Sequence, residues 1–117
     1  MPDPDDLAPR LRALLAAQAQ VGVPVSYCQA ADRLGLVPPG VIGRIGAALE
    51  ALMEEDAAAG RPLLAALCLS RTGSGLPARG FFDKAAALGL FAGDPAGPAA
   101  RAFHAGELVR LQAAYRG

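Results

Sequence analysis

Four arginines are placed where a small helical domain can present them to phosphate groups. Arg33 and Arg44 belong to two predicted helices, and Arg71 and Arg79 bracket a turn rich in glycine, serine and proline within RTGSGLPARGFF, residues 71–82. A guanidinium can donate two parallel hydrogen bonds to a phosphate, and glycine-rich backbone adds N–H donors. We therefore predict these four arginines as a nucleic-acid-binding site, provided that they share one face.

The same arginines have a second interpretation, in which they only keep an alanine-rich surface soluble. The formal net charge is zero, with 11 Lys+Arg against 11 Asp+Glu, so overall charge does not favour nucleic acid. Glu50 and Glu54 also lie close to Arg44 in the sequence. The alanine-rich helix that carries Arg44 offers little for reading base edges, so we expect weak sequence specificity.

The turn within residues 71–82 also has a structural interpretation. Gly73 and Gly75 can adopt positive φ, and Pro77 stiffens the return of the chain. Gly80 is expected to permit a close backbone approach, which would bring Phe81 into the core.

Residues capable of other chemistry are few. Cys28, Cys68 and the single His104 are too few for a structural zinc site, which normally takes four such ligands. The cysteines are interpreted as small buried side chains, with a redox pair as the alternative. His104 is expected in the core or on a helix surface, because the sequence places no nucleophile beside it.

The acidic run Glu54, Glu55 and Asp56 falls near the end of a predicted helix and is interpreted as a solvated face, with a divalent metal site as the alternative. The GSG of the turn lacks the Gly-Lys-Ser/Thr that completes a phosphate-binding loop. We therefore predict a non-enzymatic protein that uses no cofactor and no metal.

The bulk composition fits one folded domain. The chain has 117 residues, of which 53% are hydrophobic and 19% charged, a balance too apolar for disorder. No apolar run approaches the roughly 18 residues of a membrane span, and the acidic MPDPDDLAPR lacks a signal-peptide pattern. We expect a cytoplasmic protein with no membrane partner, built from a core over residues 6–82 and a helical extension over residues 83–117.

Caps and periodicity predict the elements that position these residues. A first helix is expected over residues 6–21. Ser26 and Gln29 have the spacing of a capping box, and Gly35 suits the end of the short helix that they begin. A long helix should follow over residues 41–59. Its predicted buried stripe consists of Ile42, Ile45, Leu49, Leu52 and Met53. Its glycines, Gly43 and Gly46, are expected to let the short helix approach closely.

The second half of the chain is predicted to alternate short elements with turns. LLAALCLS, residues 63–70, is an apolar run bounded by turn signals and is expected to form a buried strand. GFFDKAAALGLF is expected to lead from a strand end or a bulge into a short helix, anchored by Phe81, Phe82, Leu88 and Phe91. A last helix over residues 99–115 should bury Leu108, Leu111 and Tyr115.

This order of elements predicts an α+β, mostly helical fold. Helix, short helix, tight turn, long helix, strand and glycine-rich turn follow one another as in a winged helix-turn-helix domain. The prediction is a winged helix-turn-helix-like domain with a short β-hairpin and an extra C-terminal helical segment. An irregular helical bundle with one β-hairpin is the alternative.

A resemblance supports the same fold. VSYCQAADRLGL, and GRIGAALEAL with the downstream RPLLAALCLSRTGSGLPARGFF, resemble a pattern in small uncharacterised bacterial and phage-related winged-helix-like domains. There a P-L-x-x-L-V-V strand leads into T-G-x-P-x-x-G-F. The resemblance covers residues 25–82, and an extra Ser-Gly lengthens the turn in this chain. It implies a fold and a turn geometry, but no activity and no site residues.

Two functions remain open from the sequence. The first is binding of double-stranded DNA by the long helix and the turn, which requires a positive patch across the four arginines. The second is a protein-interaction module, such as an adaptor, an inhibitor or a homodimer, which requires an exposed apolar patch away from the turn. The candidates for that contact are the long helix and the last helix, with Phe103, Leu108 and Tyr115.

Overall fold

The computed structural model describes residues 7–70 and 75–115, so Arg71 and Gly73 lie outside the described residues. In chain order the elements are helix α1 (Leu7–Val21), strand β1 (Val25–Ser26), helix α2 (Tyr27–Leu34), helix α3 (Val41–Ala59), a 3₁₀ helix (Leu64–Leu67), strand β2 (Cys68–Leu69), helix α4 (Arg79–Ala87) and helix α5 (Pro98–Tyr115). The described chain is mostly helical with one small sheet, as the α+β prediction requires.

Helix α2 begins with the predicted capping box. The Ser26 hydroxyl accepts a hydrogen bond from the Gln29 N–H at 3.1 Å, and the Gln29 side chain accepts one from the Ser26 N–H at 3.0 Å. Gly35 ends the helix in the left-handed conformation, with φ of 68°. The four residues that α2 buries are Tyr27, Ala30, Ala31 and Leu34.

Helix α3 has the predicted bounds, but two expectations about its surface are wrong. Ile42 is 42% exposed, so the buried stripe begins at Ile45. The preceding turn, residues 37–40, is exposed throughout, and within residues 41–44 only Val41 is partly buried against the core. A Cβ added at Gly43 or Gly46 would meet nothing within 4 Å, so these glycines do not serve close helix packing.

The sheet differs from the predicted hairpin. Strands β1 and β2 pair in parallel, with Val25 opposite Cys68 and Ser26 opposite Leu69, whereas a hairpin is antiparallel. The predicted strand over residues 63–70 is shortened to β2, because the 3₁₀ helix occupies its first half. Directly after β2, the Ser70 N–H donates to the Leu76 carbonyl at 2.9 Å.

An aromatic cluster joins α4 and α5 to the rest of the core. The ring centroids of Phe81 and Phe82 are 5.1 Å apart, those of Phe82 and Phe91 5.6 Å, and those of Phe91 and Phe103 5.3 Å. The predicted anchoring by Phe81, Phe82 and Phe91 is therefore confirmed, and Phe103, predicted as part of an exposed contact, is instead partly buried against the core. Gly80 is helical, and a Cβ there would meet nothing within 4 Å, so the expected close backbone approach is wrong.

Helix α5 packs on α1 and on the 3₁₀ helix. It buries Leu111, while Leu108 and Tyr115 are partly buried against the same core. The predicted inward face is therefore largely confirmed.

Candidate functional site

The N-terminal end of α3 combines two features that favour an anion. Its N-cap is Gly40, which supplies no side-chain cap, and its first turn carries no acidic residue. Arg44 lies just beyond that turn, is exposed, and makes no ion pair or hydrogen bond through its side chain within residues 7–70 and 75–115. Open N–H groups and the positive end of the helix dipole attract phosphate, and Arg44 adds a free guanidinium.

Arg33 lies at the end of α2 and reaches across to α1. Its Nη1 donates to the Gln18 Oε1 at 2.8 Å. Arg10 of α1 similarly donates from Nη2 to the Leu34 carbonyl at 2.7 Å. Both acceptors are neutral, so these hydrogen bonds orient the two arginines without cancelling their charge. Sequence reasoning missed Arg10, because its partner lies 24 positions away and no local pattern indicates it.

Arg79 is the first residue of α4, and its Nε lies 3.7 Å from the Asp83 carboxylate, with both side chains well exposed. Helix α4 runs along one flank of α3, where Lys84 pairs with Glu54. Arg44 lies on the other flank of α3. It is about three helical turns from Glu55 and therefore shares a face of the helix with it. That face is on the α1 side, because Arg12 of α1 forms an ion pair with Glu55.

Arg44 and Arg79 therefore lie on different flanks of α3, and Arg71 falls outside the described residues. Of the four predicted site residues, the structure places Arg33, Arg44 and Arg79 on exposed positions of three successive helices.

The acidic run of α3 is not the uniform solvated face that was expected. Glu54 and Glu55 are exposed and ion-paired, whereas Asp56 is fully buried. Its Oδ1 accepts from Arg12 Nη1 at 2.9 Å and from Arg61 Nε at 3.0 Å, and its Oδ2 accepts from the Leu64 N–H at 3.2 Å. The prediction is wrong for Asp56 because three donors compensate the burial of its charge.

The contact with Asp56 and Glu55 changes the pKa of Arg12. Partial burial lowers the pKa of Arg12, but hydrogen bonds to Asp56 and Glu55 outweigh that effect and raise the pKa above its ordinary value. Arg12 thus stays charged and holds α1 against α3.

Helix α5 supplies two more polar anchors for the same irregular segment. The Glu107 Oε2 accepts from the Leu63 N–H at 2.9 Å, and the His104 Nε2 lies 2.9 Å from the Ala66 carbonyl oxygen. Because a carbonyl only accepts, the proton is on Nε2. Both side chains are buried, so His104 is a core residue, one of its two predicted placements. These contacts satisfy backbone groups that the 3₁₀ segment itself leaves unpaired.

The two cysteines have different surroundings. Both are free thiols, but Cys28 is exposed, because it faces away from the side of α2 that packs on the core, so its predicted burial is wrong. Cys68 is buried in β2, and burial raises the pKa of its thiol to about 12. A neutral, buried thiol is a poor nucleophile.

An apolar groove lies between the end of α1, β2 and α5. It has a volume of about 180 Å³, and its walls include Leu67, Leu69 and Leu108. Val21 and Val23, which adjoin its rim at Gly22, are 62% and 51% exposed. This is an exposed apolar surface of the kind that a protein contact requires.

Comparison of the chain with protein-family models, with curated proteins and with solved structures finds no match. In the part of the chain that the structure describes, no group of three or more His, Cys, Asp and Glu side chains could hold a metal ion. None of the described helices combines the length and the apolar character needed to cross a membrane. Function is therefore inferred from the geometry of these residues.

Proposed function

We propose that this protein is a non-enzymatic, winged-helix-like domain that binds double-stranded DNA through the N-terminal end of α3. The observation that carries the proposal is the exposed Arg44, which has no partner within residues 7–70 and 75–115 and lies beside a helix N-terminus without a side-chain cap. Arg44 adds positive charge there, while the exposed carboxylates Glu50, Glu54 and Glu55 lie further along the same helix. Phosphate contacts would therefore be made by one end of α3 rather than by its whole length.

The order of the helices supports α3 as the presenting helix. Helices α2 and α3 are joined by a short turn, and α3 packs on both α1 and α2, as in helix-turn-helix domains. The segment after β2, which contains Arg71, has the chain position of a wing. Arg33 and Arg79, on the neighbouring helices, would contact the backbone on either side of α3.

Weak sequence specificity follows from the side chains around Arg44. The exposed positions near it on α3 are Ile42, Gly43 and Ala47, which offer almost no hydrogen-bonding groups to base edges. Binding should therefore be dominated by phosphate contacts and depend strongly on salt.

A non-enzymatic role is consistent with the state of the groups that most often do chemistry. His104 is buried and hydrogen-bonded to a backbone carbonyl, and Cys68 is buried with its pKa raised to about 12. The His104 Nε2 is engaged by that carbonyl, and a protonated thiol is a poor nucleophile, so neither group is arranged as a catalytic base or nucleophile.

Fluorescence anisotropy with a labelled duplex, titrated at several salt concentrations, tests the proposal. Arg44→Ala is the informative variant, and Arg101→Ala is its matched control, since Arg101 is also exposed and without an ion pair among the described residues but lies on α5. We expect the native protein and the Arg101 variant to bind, and the Arg44 variant to bind more weakly.

A protein-interaction role is the second candidate, favoured by the apolar groove beside Val21 and Val23. Light scattering after size exclusion tests self-association. If the groove is an interface between copies, Val21→Ser with Val23→Ser should shift the protein towards the monomer without unfolding it.

A further inference from the structure

A second, smaller cavity lies between α2, α3, β2 and the beginning of α4. Its volume is about 50 Å³, and it is lined by the polar residues Tyr27, Glu50 and Cys68 and by apolar neighbours that include Met53 and Phe81. A cavity of this size accommodates a few water molecules or one small organic head group. Neither the arginine surface nor the apolar groove includes it.

The hydroxyl of Tyr27 opens into this cavity. Tyr27 is only 8% exposed, yet its hydroxyl makes no hydrogen bond within residues 7–70 and 75–115. No described side-chain nitrogen or oxygen is both sealed from solvent and unpartnered, so this hydroxyl is in contact with open space, and Tyr27 is one of the residues that line the cavity. A buried tyrosine hydroxyl usually has a hydrogen-bond partner, and here no described residue supplies one.

The electrostatics of the cavity favour a cation. Burial, together with the neighbouring Cys68 and Glu50, raises the pKa of Tyr27 to about 12. Burial, the largest cause, opposes charge of either sign, but the carboxylate of the exposed Glu50 opposes a phenolate and favours a cation beside it. Glu50 forms no ion pair in the described part of the chain, and Lys84, a cation of the adjoining helix α4, is engaged by Glu54.

Two glycines form part of the cavity wall. Gly46 of α3 and Gly80 of α4 both line it, and a Cβ at either position would meet nothing within 4 Å. A methyl group at either position would therefore project into free space rather than against a neighbour.

We propose that this cavity binds a small primary ammonium group, with Glu50 as its counter-ion and the Tyr27 hydroxyl as a hydrogen-bond acceptor. A primary ammonium has three donors, which suits a carboxylate and a phenol oxygen on one site. The rings of Tyr27 and Phe81 and the sulfur of Met53 supply polarisable walls that tolerate a cation. The volume is too small for a quaternary ammonium, and the charge of Glu50 disfavours carboxylates and phosphates.

The probe for the test is methylammonium chloride, titrated into the full chain at constant ionic strength while amide chemical shifts are recorded. We expect saturable shifts at Gly46 and Gly80, and none with sodium or with tetramethylammonium. Glu50→Gln should weaken binding about tenfold, because it removes the counter-ion and keeps the shape. Shifts that do not saturate, or that sodium reproduces, would overturn the proposal.

A matched pair of glycine variants separates the cavity from the fold. Gly46→Ala places a methyl group in the cavity and should abolish binding, whereas Gly43→Ala, on the same helix and equally free of neighbours, should leave it unchanged. Retained binding in Gly46→Ala, with the fold verified by circular dichroism, contradicts the proposal. Because no nucleic acid is present, the result is independent of the DNA-binding proposal, and Arg44→Ala should bind methylammonium normally.

Discussion

Asp56 of α3 and Arg12 of α1 form an ion pair of 2.9 Å in which the carboxylate is fully buried. The carboxylate also accepts from Arg61 and from the Leu64 N–H. One side chain thus connects the first helix, the long helix and the 3₁₀ segment that leads into β2. The position of α3, and with it of Arg44, depends on this contact.

Replacing Asp56 by asparagine should lower the free energy of unfolding by about 3 kcal/mol. This value is at the lower end of the range for breaking a buried ion pair, because the partners Arg12 and Arg61 are partly exposed. Glu55→Gln removes an exposed partner of the same Arg12 and should cost less than about 1 kcal/mol. Urea unfolding of both variants measures the difference. Equal destabilisation by the two would contradict the structural role given to Asp56.

Replacing Glu107 by alanine should lower the free energy of unfolding by about 1–3 kcal/mol, because the buried Leu63 N–H loses its acceptor. Arg110→Ala is the control, since Arg110 is a half-exposed partner of the same carboxylate and should cost less than about 1 kcal/mol. Hydrogen exchange at the Leu63 amide supplies a second readout. An amide that remains as protected in Glu107→Ala as in the native protein would show that this hydrogen bond does not hold the segment.

The features that the sequence predicts correctly are local. The capping box of Ser26 and Gln29, the left-handed Gly35 and both ends of α3 follow from spacings of a few residues. What it misses is set by distant partners: Asp56 meets Arg12 across 44 positions, and no periodicity indicates a charged residue at the centre of a core.

The pairing of the two strands and the relative positions of the site arginines also depend on distant contacts and could not be predicted from the sequence. The parallel pairing of Val25 with Cys68 depends on how α2 and α3 bring the two strands together, not on either strand alone. Exposure of Arg33 and Arg44 follows from the helical pattern. Their positions relative to Arg79 depend on the side of α3 on which α4 packs, and that is decided by tertiary contacts such as Lys84 with Glu54.

The two thiols should react with a chromogenic disulfide reagent at very different rates. Cys28 is exposed and should react in the native protein, whereas Cys68 is buried, with its pKa raised to about 12, and should react only after unfolding. We expect one thiol per chain in buffer and two in denaturant. The Cys28→Ser variant should show none in buffer, and a rapid reaction of that variant would contradict the burial of Cys68.

Stability should fall at alkaline pH. The folded-state pKa values of Tyr27 and Cys68 are both raised to about 12, above the ordinary values of 10.0 and 9.0. Such groups stabilise the fold fully below their unfolded pKa and lose that contribution as pH rises towards the folded value. These two groups should give the free energy of unfolding no pH dependence below about pH 8 and should make it decline from about pH 9 upwards. Tyr27→Phe with Cys68→Ala should remove most of that decline, and an unchanged decline would contradict the assignment.

The salt dependence of duplex binding tests the central proposal most directly. For the native protein and for Arg44→Ala, the logarithm of the binding constant is plotted against the logarithm of salt concentration. The proposed phosphate contact predicts a slope that is shallower by about 1 in Arg44→Ala, and an unchanged slope in Arg101→Ala. Equal slopes for all three proteins, or no binding at low salt, would contradict a DNA-binding role for the end of α3.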